Sequence, residues 1–132
     1  MRLAERANIG ALVSFVGQVR DINNGDTISA LTLEHYPEMT EKALVAIENE
    51  AKLRWDIIDS LIIHRVGTLK PLDQIVLVAV SSAHRGEAFK ASEFIMDYLK
   101  TSAPFWKKEV TNQGERWVEA KLADDEAKER WE

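Results

Sequence analysis

The chain contains no cysteine, which removes disulfides, thiolate nucleophiles and cysteine-held zinc or iron–sulfur centres from consideration. It has no apolar run near the roughly 20 residues that a membrane-spanning helix needs. Its first residues, Met1-Arg2-Leu3-Ala4-Glu5-Arg6, carry charge where a secretion signal needs an apolar stretch, so a cytoplasmic setting is expected. The three histidines, His35, His64 and His84, are scattered and lack carboxylates at ligand spacing, which makes a poor metal site. Excess positive charge is also missing: the net charge of −5 argues against a nucleic-acid-binding face. There is no phosphate-binding glycine loop, no internal repeat and no low-complexity segment.

What is present suits a soluble globular protein. With 132 residues, 45% of them hydrophobic, the chain is long enough for one domain with its own core and too short for two. We expect a single domain over residues 1–132, with its core at about 10–121 and an acidic tail at 122–132. Charge is unevenly placed. Lys100 to Lys108 holds three lysines and no acid, whereas Glu119 to Glu132 holds six acids against Lys121, Lys128 and Arg130. A local cationic patch on an acidic chain suits a small anionic ligand better than a polyanion.

Apolar, β-branched residues predict a buried strand from Gly10 to Val19, ending at Arg20. Asp21 to Asp26 has loop chemistry with Asn24-Gly25 as its turn, and alternation predicts a second strand from Ile28 to Tyr36, ended by Pro37. Thr40 is the expected cap of a helix reaching about Trp55. Ile57 to Val66 reads as a strand and Gly67 to Asp73 as its turn. Gln74 to Ser81, the most apolar run, predicts a central strand covered on both faces. Ser81-Ser82 offers a cap for a helix from about His84 to Thr101, whose core stripe is Ala88, Ala91, Ser92, Ile95 and Leu99. Pro104 blocks its continuation. Phe105 to Thr111 and Arg116 to Lys121 form a hairpin about Asn112-Gln-Gly114. The tail is read as a last helical turn or a frayed end. The order β-β-α-β-β-α-β-β defines an α+β fold of mainly antiparallel sheets with two main helices.

Four features can carry chemistry, and each has a plainer reading. Arg20, at the end of an apolar strand, is a surface arginine or a bidentate clamp for an anion. His84-Arg85 stands where a helix begins; it is a loop pair, or it joins the unpaired N–H groups there to hold an anion. Lys100 ends a helix, where a cation meets the favourable end of the dipole, which alone is a sufficient structural reason for it; a lysine whose pKa is depressed by aromatics or by a second lysine would suit acid–base work. Lys107 and Lys108 alternate across a strand, so only one of them can share a pocket with Lys100. His35 and His64 fall inside strands and read as structural or surface residues.

The segments Gly17-Gln-Val-Arg20, Leu31-Thr-Leu-Glu-His-Tyr-Pro37, Ile63-His-Arg-Val-Gly67 and Ser82-Ala-His-Arg85 occur in a telling order and spacing. With the block Ile95 to Glu109 and the final Arg116-Trp-Val-Glu-Ala120, they resemble the large, catalytic subunits of molybdopterin synthases. The resemblance spans about Gly10 to Ala120. It implies an α/β-hammerhead-like fold and an enzyme with no cofactor of its own. The implied reaction is transfer of sulfur from a small ubiquitin-like carrier to cyclic pyranopterin monophosphate, which forms the dithiolene of molybdopterin. The carrier presents the sulfur as a thiocarboxylate on its C-terminal glycine. The implied assembly is a homodimer of large subunits carrying two small ones, a heterotetramer. It further implies that Gln18, Val19, Arg20, His84, Arg85, Lys100, Lys107, Lys108 and Glu109 line the pterin site, with Lys100 the first candidate for the general acid–base group and Lys107 the next. The chain starts nearer its first strand than many relatives do, and Lys121 stands where some relatives are expected to have arginine. The rival reading is a non-catalytic module that holds a phosphorylated ligand or the carrier's tail. Binding alone does not need both Lys100 and Lys107.

Overall fold

Backbone pairing sorts the strands into two antiparallel sheets. The computed structural model describes residues 7–23, 25–101, 105–118 and 122–132. Among these the first half forms β1 (Ala11–Gln18), β2 (Ile22–Asn23), β3 (Asp26–His35), α1 (Pro37–Arg54), β4 (Asp59–His64) and β5 (Gly67–Leu69). The second half forms β6 (Gln74–Ser82), α2 (Arg85–Thr101), β7 (Phe105–Thr111), β8 (Gly114–Val118) and α3 (Leu122–Glu129). One sheet has the order β1-β6-β4; the other runs β2-β3-β7-β8, with β5 also paired to β3. The fold is α+β with mainly antiparallel pairing, as the element order requires.

The apolar run from Gln74 is indeed the middle strand of its sheet. Val76, Val78 and Val80 pack against Ala88, Ala91, Phe94, Ile95 and Leu99 of α2 and against Ile47 and Ala51 of α1. All five residues of the expected α2 stripe are buried, which is what a 3.6-residue period facing a sheet produces. Coverage on both faces holds only from Val78 onward; Gln74 is exposed, and Ile75 and Leu77 are half-buried. A second, smaller core gathers Val19, Ile28, Leu31, Leu33 and Leu69 beside the other sheet. Ile75 packs against both cores and so ties the two sheets together.

Four local expectations change. Helix α1 starts at Pro37, which occupies its first turn, and its cap residue Tyr36 makes no side-chain capping bond. Proline's fixed φ and missing N–H suit that position, so Pro37 both ends the strand and opens the helix. Thr40 is therefore not the cap; it is buried inside the helix, its hydroxyl 3.1 Å from His35 Nδ1. Gly67 to Leu69 is not turn but strand, because Leu69 has a core to enter and pairs with Leu31. The acidic tail forms the full helix α3 rather than a single turn. Beyond α3, the Trp131 indole donates to Asp97 Oδ2 at 2.7 Å and its ring stands edge-on to Trp55 and Phe94. The positions of Asn24, Pro104 and Lys121, on which the sequence reading also touched, lie outside the described residues.

Close approaches fix both ends of β1. Gly10 donates to the Ser82 carbonyl at 3.0 Å, so close to the next peptide that a Cβ there would overlap the Ala83 oxygen. At the other end of β1, the Val19 N–H donates to Asp73 O at 2.9 Å and its carbonyl accepts from Leu72 N at 3.0 Å. The turn over residues 70–73 thus grips the chain just before Arg20.

Candidate active site

A cleft of about 350 Å³ opens where the ends of β1 and α2 meet the inner face of β7. Side chains alternate along a strand, so Phe105, Lys107 and Glu109 of β7 all face this cleft while Trp106 and Lys108 turn away. Gln18, Val19 and Arg20 reach it from the end of β1, Asn23 from β2, and Lys100 and Thr101 from the last turn of α2. Ile28, Leu31, Ile75 and Val118 give it an apolar lining, and Asp124 of α3 adds a carboxylate.

Six of the nine residues named from sequence therefore come together: Gln18, Val19, Arg20, Lys100, Lys107 and Glu109. Three do not. Lys108 is on the outer face of β7, 3.6 Å from Glu115 Oε2 and above the Trp117 ring, as strand alternation dictates. His84 and Arg85 are exposed at the start of α2, whereas Lys100 is at its end. Arg85 and Lys100 are fifteen positions apart along α2, a rise of ~22 Å at 1.5 Å per residue, which no side chain spans. Ser82 does help shape that start, its hydroxyl accepting the His84 N–H at 3.2 Å.

The polar wall of the cleft is a connected network. Glu109 is buried, at 4% exposure, with Oε1 accepting from Asn23 Nδ2 at 2.7 Å. Its Oε2 accepts no hydrogen bond among the described residues but lies 3.6 Å from Arg116 Nη2. Arg116 in turn donates to Asp26 Oδ2 at 2.6 Å and to the Asn23 carbonyl at 3.0 Å. Arg20 Nη2 donates to Asn23 Oδ1 at 3.3 Å. A buried carboxylate needs this compensation, because an unpaired charge in the interior is costly.

His64, expected to be structural or at the surface, packs on the cleft residue Phe105, and Asn23, which the sequence did not single out, lines the cleft itself. The His64 ring stacks on Phe105 with centroids 3.8 Å apart, and His35 stacks more loosely at 6.0 Å. Burial pushes the His64 pKa below the ordinary 6.5, the nearby lysines Lys107 and Lys100 push the same way, and the hydrogen bond to the Arg65 carbonyl opposes them. That bond, 2.8 Å from Nδ1, places the neutral ring's proton on Nδ1 and leaves Nε2 as an acceptor. A histidine within a strand and an asparagine beside a turn carry no signal of this in sequence, since their partners are remote in the chain.

An α+β scaffold that gathers cations from three separate elements around one recess, with a buried carboxylate on its wall, defines an enzyme-type site for anionic substrates. Comparison with known proteins narrows this class. The MoaE family profile, described as MoaE protein, matches residues 1–102, and the chain belongs to that family. It is 65% identical over 128 residues to the molybdopterin synthase catalytic subunit of Ralstonia nicotianae, covering 97% of this chain and 73% of that protein. To the Escherichia coli protein of the same name it is 59% identical over 129 residues, covering 98% and 86%. Among solved structures, the MoaE protein from Burkholderia ambifaria superposes with a TM-score of 0.80 at 59% identity, covering 97% of this chain and 84% of that one. Molybdopterin synthase from Staphylococcus aureus gives 0.82 at 35% identity, covering 90% and 91%.

Proposed function

We infer that the chain is the catalytic subunit of a molybdopterin synthase. It transfers sulfur from the C-terminal thiocarboxylate of a small ubiquitin-like subunit to cyclic pyranopterin monophosphate. The observation that carries this reading is the meeting of Lys100, Lys107 and Arg20 in one cleft, in a chain 65% identical to a protein of that name. The substrate's phosphate and the thiocarboxylate are both anions, and attack on the substrate builds further negative charge. Fixed cations in a partly closed recess stabilise that charge as it develops. Lys100 is the first candidate to donate and accept protons, and Lys107, half-buried beside it, is the second. Arg20 suits two-pronged contact with the phosphate.

His84 and Arg85 belong to this reading only if a second copy supplies them, because they stand at the wrong end of α2 to serve their own chain's cleft. A homodimer is supported by an uncovered apolar row, Val16, Leu77 and Ile63, on the face of the β1-β6-β4 sheet opposite the helices. Val16 and Ile63 are 44% and 50% exposed. With two small subunits the assembly is a heterotetramer. Ile75, shared by both cores, supports treating the chain as one domain. Among the described residues no helix is long and apolar enough to cross a membrane, and we place the reaction in the cytoplasm.

The test is incubation of the chain with the pterin monophosphate and a thiocarboxylated small subunit, followed by detection of molybdopterin. Multiple turnovers are expected. Binding of both without product would leave the non-catalytic module as the correct reading.

A further inference from the structure

Asn23 stands between oppositely charged groups of the cleft wall. Its Oδ1 accepts from the Arg20 guanidinium and its Nδ2 donates to the buried Glu109 carboxylate. The direction of the amide is fixed by its neighbours: a guanidinium only donates and a carboxylate only accepts, so one orientation alone satisfies both. The backbone of Asn23 is held as well. Arg116 donates to its carbonyl, and Asn23 pairs with Asp26 in the short β2–β3 ladder. Arg116 is itself pinned by the Asp26 carboxylate. The amide is thus gripped from the interior side, and its remaining end meets Arg20, which is exposed. A long exposed arginine has many rotamers, and ordering it only on substrate arrival would cost entropy that preorganisation avoids.

We propose that Asn23 is a positioning residue of the sulfur-transfer reaction: clamped between Glu109 and Arg116, it holds the Arg20 guanidinium over the cleft, ready for an anionic group. This rests on the synthase reading for its substrate but not for its geometry. Other side chains fail at this position for stated reasons. Aspartate puts a second carboxylate against Glu109 and has no N–H to offer it. Alanine releases both partners. Glutamine has the right groups on a stem one methylene too long.

The experiment is a double-mutant cycle in the complete synthase, with Asn23→Ala and Asn23→Asp each made alone and together with Arg20→Ala. Asn23→Ala is expected to lower kcat/KM about tenfold or more, mainly through KM, the scale of a lost charge-assisted hydrogen bond. With Arg20 already removed, it should cost less than about twofold further. Equal losses in the two backgrounds would overturn the proposal, since a merely structural residue does not need Arg20 to exert its effect. So would no loss at all, or failure of both Asn23 variants to fold. Calorimetric titration with inorganic phosphate provides a second cycle: affinity should fall several-fold in Asn23→Ala and show the same dependence on Arg20. If the unmodified protein made no molybdopterin, the assigned reaction would fall, while the phosphate cycle would still decide the role of Asn23.

Discussion

His64 lies face to face with Phe105, their planes 14° from parallel, and this stack joins an edge strand of one sheet to the strand that carries Lys107 in the other. Because the native ring resists protonation, it binds fewer protons than the unfolded chain once pH falls below about 6.5. Its contribution to stability is therefore intact above that value. It declines as pH drops toward the lowered native pKa, and levels off below it. Urea midpoints at pH 7.5 and 5.5 should differ more for the parent than for His64→Phe, which keeps a stacking ring and cannot titrate. An identical pH response in the two proteins would refute the assignment.

Lys100 is exposed at a helix end and fills no part of either core. Lys100→Ala should reduce kcat by ~10²-fold or more, the usual scale for a lost acid–base group. Stability should change by less than about 1 kcal/mol, the worth of a cation at a helix C-terminus. Turnover assays and thermal melts check this together. A folded variant with near-parental kcat removes Lys100 from the mechanism.

The separation of Arg85 from Lys100 along α2 makes a sharper demand. Arg85→Ala alone should weaken pterin binding, with loss of about 1.5–3 kcal/mol. If the second copy supplies Arg85, mixing Lys100→Ala chains with Arg85→Ala chains should restore activity, because each mixed dimer then holds one intact site. Co-expression with two affinity tags isolates that species. Activity no higher than in either parent variant would show that Arg85 does not act across the dimer.

Gly10 admits no side chain without moving the peptide at Ala83. Gly10→Ala should destabilise the protein by about 1–3 kcal/mol, the range for overpacking. The exposed helix position Gly86, where nothing stands within 4 Å of an added Cβ, is the control, and Gly86→Ala should be neutral or stabilising. Denaturant unfolding of the two variants settles the comparison.

Much of the framework could be read from residue order. The period of α2 put Ala88, Ala91, Ser92, Ile95 and Leu99 on one face, and alternation separated Lys107 from Lys108; both hold in the structure. What residue order hides is contact between remote segments. Nothing near Asn23 announces Glu109, and nothing near His64 announces Phe105, because the partners meet only once both sheets are formed. Thr40 departs from expectation for a different reason. Capping preference and proline's preference for a first turn competed at the same helix start, and proline prevailed.

The network on the cleft wall joins partners 86 and 90 positions apart, Asn23 with Glu109 and Arg116 with Asp26. Such contacts reward the chain only after long loops have closed, whereas α1 and α2 can gain helical structure from neighbours alone. During refolding, helical ellipticity should consequently return before the ability to bind phosphate. In a newly made chain the cleft wall can close only once Arg116 has been added to meet Asp26, whereas each helix needs only its own neighbours to begin.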